Sequence, residues 1–174
     1  MELKELTDKT CAIFQCDKKG LGEALMKCVQ EKNMEQVKAF HDLVEDLSID
    51  WMQKIYQYYM ADRKDKMQDY TPKCLAELMS RLAGEADKVV DLCAGSGALT
   101  IQRWNQDHDQ RFELFEIDEN VIPYLLFNLV LRNIDAIVHR SDVLLQETFE
   151  TYRVYRGEKY GRVEVMKNGN SISL

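Results

Sequence analysis

The sequence lacks the features that hold small secreted domains and zinc proteins together. Its five cysteines are odd in number and form no C-x-x-C pair, so neither a disulfide framework nor a zinc site is indicated. The three histidines, His41, His108 and His139, are scattered, and none lies at metal-ligand spacing from a cysteine. We therefore expect no metal site and a reducing compartment.

Long apolar runs are also missing. The N-terminal stretch MELKELTDKTCAIF has no apolar core of the kind that a signal peptide carries, and no segment is long enough to span a bilayer. These absences predict a cytoplasmic protein with no membrane partner.

Positive charge is scarce: the formal net charge is −7 and the sequence pI is about 5.1. A protein that binds DNA by itself usually carries a basic face, because phosphate neutralisation supplies most of the affinity. No such face is evident, although a local patch within an acidic total stays open, and the acidic balance is typical of a solubility device. With 45% hydrophobic residues the chain can bury a real core, and we expect one domain with a helical appendage.

Proline occurs only at Pro72 and Pro123, and both positions suit helix starts. Ahead of them, apolar residues recur at helical spacing and predict three short packed helices between residues 21 and 60. The segment YTPKCLAELMSRLAG predicts a further helix with Thr71 at the N-cap, Pro72 at the first helical position and Gly84 at the C-terminal cap. Its apolar residues are expected to form a buried stripe: Leu75, Leu78, Met79 and Leu82.

Beyond this helix the hydrophobic period changes to that of strands. Short apolar runs alternate with helical segments, which favours a parallel sheet with right-handed crossovers. The strands are predicted at 88–93, 111–118 and 135–140, with helices between them to about residue 105 and over about 119–132.

The C-terminal part has a different pattern. Its β-prone runs are punctuated by glycines and an Asn-Gly turn signal, which predicts an antiparallel hairpin or a three-strand meander. The predicted fold is therefore α/β, a Rossmann-like partial parallel sheet in three parts: a helical N-terminal extension (1–69), the sheet-bearing core (70–150) and the C-terminal hairpin or meander (151–174).

The run DLCAGSGALT, residues 91–100, joins the first strand to a helix through a glycine-bearing turn. A dinucleotide fingerprint would be Gly-x-Gly-x-x-Gly; here Gly95 and Gly97 supply two glycines, and Thr100 stands in place of the third. On the pattern alone, a purely structural turn explains this run nearly as well as a nucleotide-binding turn.

Two acidic residues narrow the choice of ligand. Asp91 ends the first strand where a pyrophosphate would be repelled and a cationic group favoured. Glu116 ends the second strand, where a carboxylate can accept hydrogen bonds from both ribose hydroxyls. A nucleoside with ribose hydroxyls and a cationic amino-acid tail is S-adenosylmethionine, which we predict as the cofactor. Asp142, just past the third strand, either accepts from the adenine amine or caps the next turn.

The segments QDYTP, VVDLCAGSGALT, FELFEID and SDVL, within about residues 21–149, resemble the adenine-N6 DNA methylases, including the modification subunits of type I restriction-modification systems. The resemblance implies an S-adenosylmethionine-dependent methyltransferase fold and a role in DNA methylation. It also implies the cofactor-binding residues: Tyr70, Thr71 and Pro72 packed over the cofactor, the turn residues Asp91, Ala94, Gly95, Ser96 and Gly97, Glu116 at the ribose, Ile117 beside the adenine, and Asp142 at the adenine edge.

The family's catalytic motif, Asn or Asp followed by Pro-Pro and an aromatic residue, is not found, because Pro72 and Pro123 are the only prolines. In the family the aromatic ring stacks on the flipped adenine, and the polar group accepts from the amino group that is methylated. We therefore assign no catalytic residue and expect no methyl transfer by this chain alone. The 32 residues that follow Asp142 are also fewer than a complete methyltransferase sheet needs.

Three explanations stay open: a fragment of a longer methylase, a natural short relative that acts through a partner subunit or as a regulator, and a decayed methylase. A complete small-molecule methyltransferase is disfavoured by the missing strands. DNA would be reached through a partner subunit. The first strand would keep an exposed apolar edge, which we expect the C-terminal meander or a second copy of the chain, in a homodimer, to cover.

Overall fold

The computed structural model describes residues 1–60 and 71–166, which contain seven helices and five strands. In chain order these elements are α1 (Leu3–Phe14), α2 (Leu21–Gln30), α3 (Met34–Val44), α4 (Trp51–Tyr59), α5 (Lys73–Leu82), β1 (Lys88–Asp91), α6 (Ala98–Trp104), β2 (Arg111–Glu116), α7 (Ile122–Leu131), β3 (Asp135–Asp142), β4 (Glu147–Tyr155) and β5 (Arg162–Met166).

The five strands form one sheet in the order β1-β2-β3-β4-β5. β1, β2 and β3 are parallel, with Val89 beside Phe112 and Phe112 beside Ala136. β4 is antiparallel to β3, and β5 is antiparallel to β4. The architecture is thus mixed α/β, and each parallel strand lies within two residues of the range that its apolar run predicted.

The β-prone C-terminal run forms the hairpin of β4 and β5, which adds to β3. The connection between β3 and β4, residues 143–146, is too short for a crossover, so β4 pairs antiparallel with the strand that it follows. The hairpin therefore lies at the opposite edge of the sheet from β1, and the expectation that it covers the edge of β1 is wrong. Within the described ranges, no strand pairs with the outer edge of β1.

The division into three parts stays a prediction. The boundary placed at residue 150 falls inside β4, and the boundary at residue 69 lies outside the described residues, as does the Asn168-Gly169 turn signal.

The helices predicted between residues 21 and 60 are present as α2, α3 and α4. Their apolar stripes are buried because they pack together and against α7; the fully buried members include Leu21, Leu25, Val29, Val37, Phe40, Met52 and Ile55. α1 adds a helix that was not predicted, and it buries Leu6 and Phe14 in the same core.

α7 lies at the centre of the core, and all ten of its residues are buried. The sheet strands β3, β4 and β5 contact it on one side, and α2 packs against it on the other. Phe127 of α7 contacts Phe14 and Phe40 edge-on, with ring centroids 5.3 and 5.4 Å apart. Each fully buried side chain of this kind contributes about 1.5–3 kcal/mol. The N-terminal helices and the sheet therefore share one hydrophobic core.

α5 buries a different face from the one predicted. Ala76 and Ser80 are buried where α5 packs on α6, whereas the apolar stripe is exposed, with Leu82 at 72%. The predicted burial of Leu75, Leu78, Met79 and Leu82 is therefore wrong. An amphipathic pattern indicates which face of a helix is apolar, but burial also requires an element packed against that face, and none of the described elements covers this one.

Candidate functional site

Three acidic side chains stand at the carboxyl ends of the three parallel strands. Asp91 ends β1, Glu116 ends β2 and Asp142 ends β3. The carboxyl ends of parallel strands meet at one edge of a sheet, and ligands of open α/β sheets bind outside that edge. The structure thus brings the three predicted acids to the same edge.

The glycine turn between β1 and α6 depends on two left-handed backbone positions, Gly95 with φ 55° and Gly97 with φ 100°. The turn is held by backbone bonds from the Ala94 N–H to the Phe115 carbonyl and from the Gly97 N–H to the Ala94 carbonyl, both 2.9 Å. A Cβ at residue 97 would lie 3.1 Å from Cδ1 of Leu125, so close packing on α7 also requires glycine there.

Glu116 fixes the turn to the end of β2. Its Oε2 accepts a hydrogen bond from the Gly95 N–H at 2.8 Å, and its Oε1 accepts one from the Asp118 N–H at 2.8 Å. A carboxylate oxygen can accept more than one hydrogen bond, so both oxygens can still accept from a ligand hydroxyl. Glu116 and Gly95, two of the predicted site residues, are therefore in direct contact.

Asp91 has one satisfied oxygen and one orphaned oxygen. Its Oδ1 accepts from the Cys93 N–H at 3.1 Å, whereas its buried Oδ2 accepts no hydrogen bond from any residue that the structure describes. Burial raises the pKa of Asp91 above its ordinary value, and the Cys93 amide opposes the rise. Because a buried carboxylate oxygen without a donor is costly, this position favours a ligand that brings a donor or a positive charge.

Asp142 caps the turn after β3. Its Oδ1 accepts from the N–H groups of Leu144 and Leu145 at 2.9 and 3.0 Å. This geometry is the turn-capping alternative that the sequence left open. A contact between Asp142 and an adenine amine stays a prediction.

α5 begins one residue later than predicted. Pro72 is the N-cap and the helix starts at Lys73, so the assignments of Thr71 to the N-cap and of Pro72 to the first helical position are both wrong by one residue. Gly84 follows the helix end with the expected positive φ. The Thr71 carbonyl accepts from Nε2 of Gln53 in α4 at 3.2 Å. Tyr70 lies outside the described residues, and Ile117, just past β2, is 56% exposed.

A buried polar cluster beneath the turn was not predicted. Asp50, the N-cap of α4, is 6% exposed and accepts from Ser96 Oγ at 2.7 Å and from Asn128 Nδ2 at 2.8 Å. Burial raises the pKa of Asp50, while Arg132, Ser96 and Asn128 oppose the rise. The available signals were an aspartate just ahead of a helical stripe and one asparagine in the apolar run IPYLLFNLVL.

Residues 1–60 and 71–166 offer neither a metal site nor a membrane-spanning helix. No group of three or more His, Cys, Asp or Glu side chains there could hold a metal ion. None of the helices in those ranges is long and apolar enough to cross a membrane.

A comparison with protein-family models gives the family of the chain. The model of the N-6 DNA Methylase family matches residues 47–165, more than half of the chain. The chain belongs to the N-6 DNA methylase family. No curated protein and no solved structure matches it.

Membership of the N-6 DNA methylase family implies a methyltransferase-like function related to DNA methylation. Members of this family generally use S-adenosylmethionine. The matched range begins at residue 47, so it includes Asp50 and all of α4 as well as the sheet and the glycine turn.

Proposed function

We propose that this N-6 DNA methylase family chain binds S-adenosylmethionine across the carboxyl ends of β1 and β2. The observation that carries the proposal is the buried Oδ2 of Asp91, which accepts no hydrogen bond from the described residues. The ammonium group of the cofactor's amino-acid tail would supply both the missing donor and the opposite charge. Among residues 1–60 and 71–166, no group satisfies that oxygen in the absence of a ligand.

Glu116 supports the ribose end of the same assignment. Its two oxygens each accept one backbone N–H and lie at the end of the neighbouring strand. Two adjacent ribose hydroxyls can donate to the remaining lone pairs. The adenine would then lie beside the exposed Ile117, towards Asp142, with Tyr70, Thr71 and Pro72 covering the cofactor.

We infer a Rossmann-like arrangement for β1, α6, β2, α7 and β3. The three strands are parallel neighbours in chain order, and a helix connects each to the next. The glycine turn follows the first strand, as in nucleotide-binding α/β folds.

The proposed role is to hold the methyl donor rather than to transfer the methyl group unaided. When bound, S-adenosylmethionine supplies an electrophilic methyl group on a sulfonium. The residues present offer no Pro-Pro pair to orient a flipped adenine, because the two prolines lie far apart at Pro72 and Pro123. The alternative function is a non-catalytic cofactor-binding or regulatory module, with DNA reached through a partner subunit.

Calorimetric titration with two ligands separates the two ends of the site. S-adenosylmethionine carries the amino-acid tail, whereas 5′-methylthioadenosine keeps the adenine and ribose but has no tail. Asp91→Asn should weaken S-adenosylmethionine about tenfold or more, by loss of a charge-assisted bond, and leave methylthioadenosine unchanged. Glu116→Gln should weaken both ligands, because the ribose is common to them.

Glu164→Gln is the matched control, since Glu164 is an exposed acid on β5 at the far edge of the sheet. It should bind both ligands as the wild type does. Absence of binding by the wild type, or equal weakening of both ligands by Asp91→Asn, would contradict the site assignment.

Transfer of a labelled methyl group to DNA tests the catalytic side. We expect no incorporation with the purified chain alone. Robust incorporation would show that the chain positions adenine by residues other than a Pro-Pro motif, and would overturn the non-catalytic reading.

A further inference from the structure

The buried carboxylate of Asp50 joins three elements. It accepts a hydrogen bond from the Gln53 N–H of α4 at 2.8 Å, from Ser96 Oγ in the glycine turn at 2.7 Å, and from Asn128 Nδ2 of α7 at 2.8 Å. Only the first of these bonds is needed to cap a helix. The other two reach residues that lie 46 and 78 positions away along the chain.

The hydroxyl and the carbonyl of Ser96 both form hydrogen bonds within this cluster. Its hydroxyl donates to Asp50, and its carbonyl accepts from Asn128 Nδ2 at 2.8 Å. It stands between Gly95 and Gly97, the two residues that bring the turn into left-handed backbone, and it is 1% exposed. Ser96 directly follows Gly95, whose N–H donates to Glu116, so restraining Ser96 restrains the turn next to that contact.

Arg132 extends the cluster to the loop ahead of α4. Its guanidinium donates to Asn128 Oδ1 at 2.9 Å, to the Leu47 carbonyl at 2.9 Å and to the Ile49 carbonyl at 2.8 Å. Arg132 is 3% exposed, so Asp50 and Arg132 supply opposite charges within the same buried cluster. The loop, α7 and the glycine turn are thus held in one arrangement.

We propose that Asp50 is a positioning residue for the cofactor turn: through Ser96 and Asn128 it sets the turn conformation in which Gly95 meets Glu116, and so raises the affinity for S-adenosylmethionine. The proposal rests on the proposed function, because it concerns the same cofactor site. Asp50 is 6% exposed, and its proposed effect runs through Ser96 and Asn128 rather than through contact with the cofactor.

Asp50→Ser and Ser96→Ala test the connection from its two ends. A serine at residue 50 can still cap α4, but its short side chain does not span to both Ser96 and Asn128. Ser96→Ala removes the hydroxyl and leaves the cap intact. Each variant should raise the Kd for S-adenosylmethionine about 5- to 50-fold at a temperature where it is fully folded. The double variant should bind about as the weaker single variant does, since both changes break the same bond.

Asn33→Ser is the matched control. Asn33 caps α3 through the Gln36 N–H at 3.2 Å, as Asp50 caps α4, and no hydrogen bond described for its side chain reaches the glycine turn. Because serine caps a helix about as well as asparagine, it should leave both the thermal stability and the Kd for the cofactor close to those of the wild type. If Asp50→Ser and Ser96→Ala also bind like the wild type, Asp50 is only a helix cap and the proposal is overturned.

A ligand-free measurement separates this proposal from the proposed function. Amide hydrogen exchange should accelerate at Ala94, Gly95 and Gly97 in Asp50→Ser and Ser96→Ala, and stay as in the wild type in Asn33→Ser. A wild type that binds no S-adenosylmethionine but shows this pattern would refute the proposed function and support the control of the turn by Asp50. Unchanged hydrogen exchange at these amides would refute the proposal that Asp50 sets the turn conformation, whatever the binding result.

Discussion

Replacing Gly97 with alanine tests the packing of the glycine turn on α7. Gly97 has φ 100°, a conformation that side-chain-bearing residues rarely adopt. The added Cβ would lie 3.1 Å from Cδ1 of Leu125. Leu125 is fully buried in the middle of α7, so it cannot move away without disturbing the core.

Two costs add in this variant. A left-handed alanine costs roughly 1–2 kcal/mol, part of which is offset by the lower entropy of the unfolded chain. Overpacking against a rigid buried neighbour adds about 1–3 kcal/mol. We expect a total of about 2–4 kcal/mol in the free energy of unfolding, which corresponds to a fall in Tm of roughly 5–15 °C for a chain of this size.

Gly84→Ala isolates the backbone cost. Gly84 also has positive φ, +69°, but nothing lies within 4 Å of its Cβ position. Urea unfolding followed by circular dichroism, with unchanged m-values, should show a clearly larger loss for Gly97→Ala than for Gly84→Ala. Equal losses would mean that Leu125 does not press on the turn, and the packing argument would be refuted.

Because Leu82 is exposed, Leu82→Lys should change the free energy of unfolding by less than about 0.5 kcal/mol in dilute solution. Leu125 is buried, so Leu125→Ala should cost about 2–5 kcal/mol. A large loss of stability in Leu82→Lys would show that the apolar stripe of α5 is covered. Because burial raises the folded pKa of Asp91, the folded chain binds a proton there more tightly than the unfolded chain does. Wild type should therefore gain stability relative to Asp91→Asn as the pH falls through that pKa and lose it as the pH rises; urea midpoints across the acid range that keep a constant difference would refute this. If two copies pair along the free edge of β1, light scattering after size exclusion should show a dimer at micromolar concentration that Val90→Lys converts to monomer, and a wild-type monomer would exclude it.

Local chemistry made much of the fold predictable. The short apolar runs located β1, β2 and β3, and the glycines of DLCAGSGALT marked a turn whose left-handed residues require them. Residues 143–146 could have shown in advance that β4 would pair with β3, because so short a connection permits only an antiparallel neighbour. These features depend on neighbours in the chain, which a sequence displays directly.

Features that depend on distant neighbours were not predictable from the same patterns. The exposure of Leu82 reflects the lack of a covering element among the described residues, which amphipathicity does not report. The sequence did not show that the N–H groups of Leu144 and Leu145 both donate to Asp142. The helix-capping part of Asp50 had a local signal, but its bond to Ser96 joins residues 46 positions apart.

The same long-range contacts join the first residues of the family match to the glycine turn. Arg132, the C-cap of α7, donates to the carbonyls of Leu47 and Ile49, and Asp50 accepts from Ser96. The start of α4 and the glycine turn therefore share one buried polar cluster. Separating them would leave the buried carboxylate of Asp50 without its Ser96 donor, and an unsatisfied buried polar group typically costs about 1–3 kcal/mol. The family match starts at residue 47, where this cluster starts. The glycine turn therefore depends on the helical layer for its shape, because Asp50, the N-cap of α4, and Asn128 of α7 both bind Ser96.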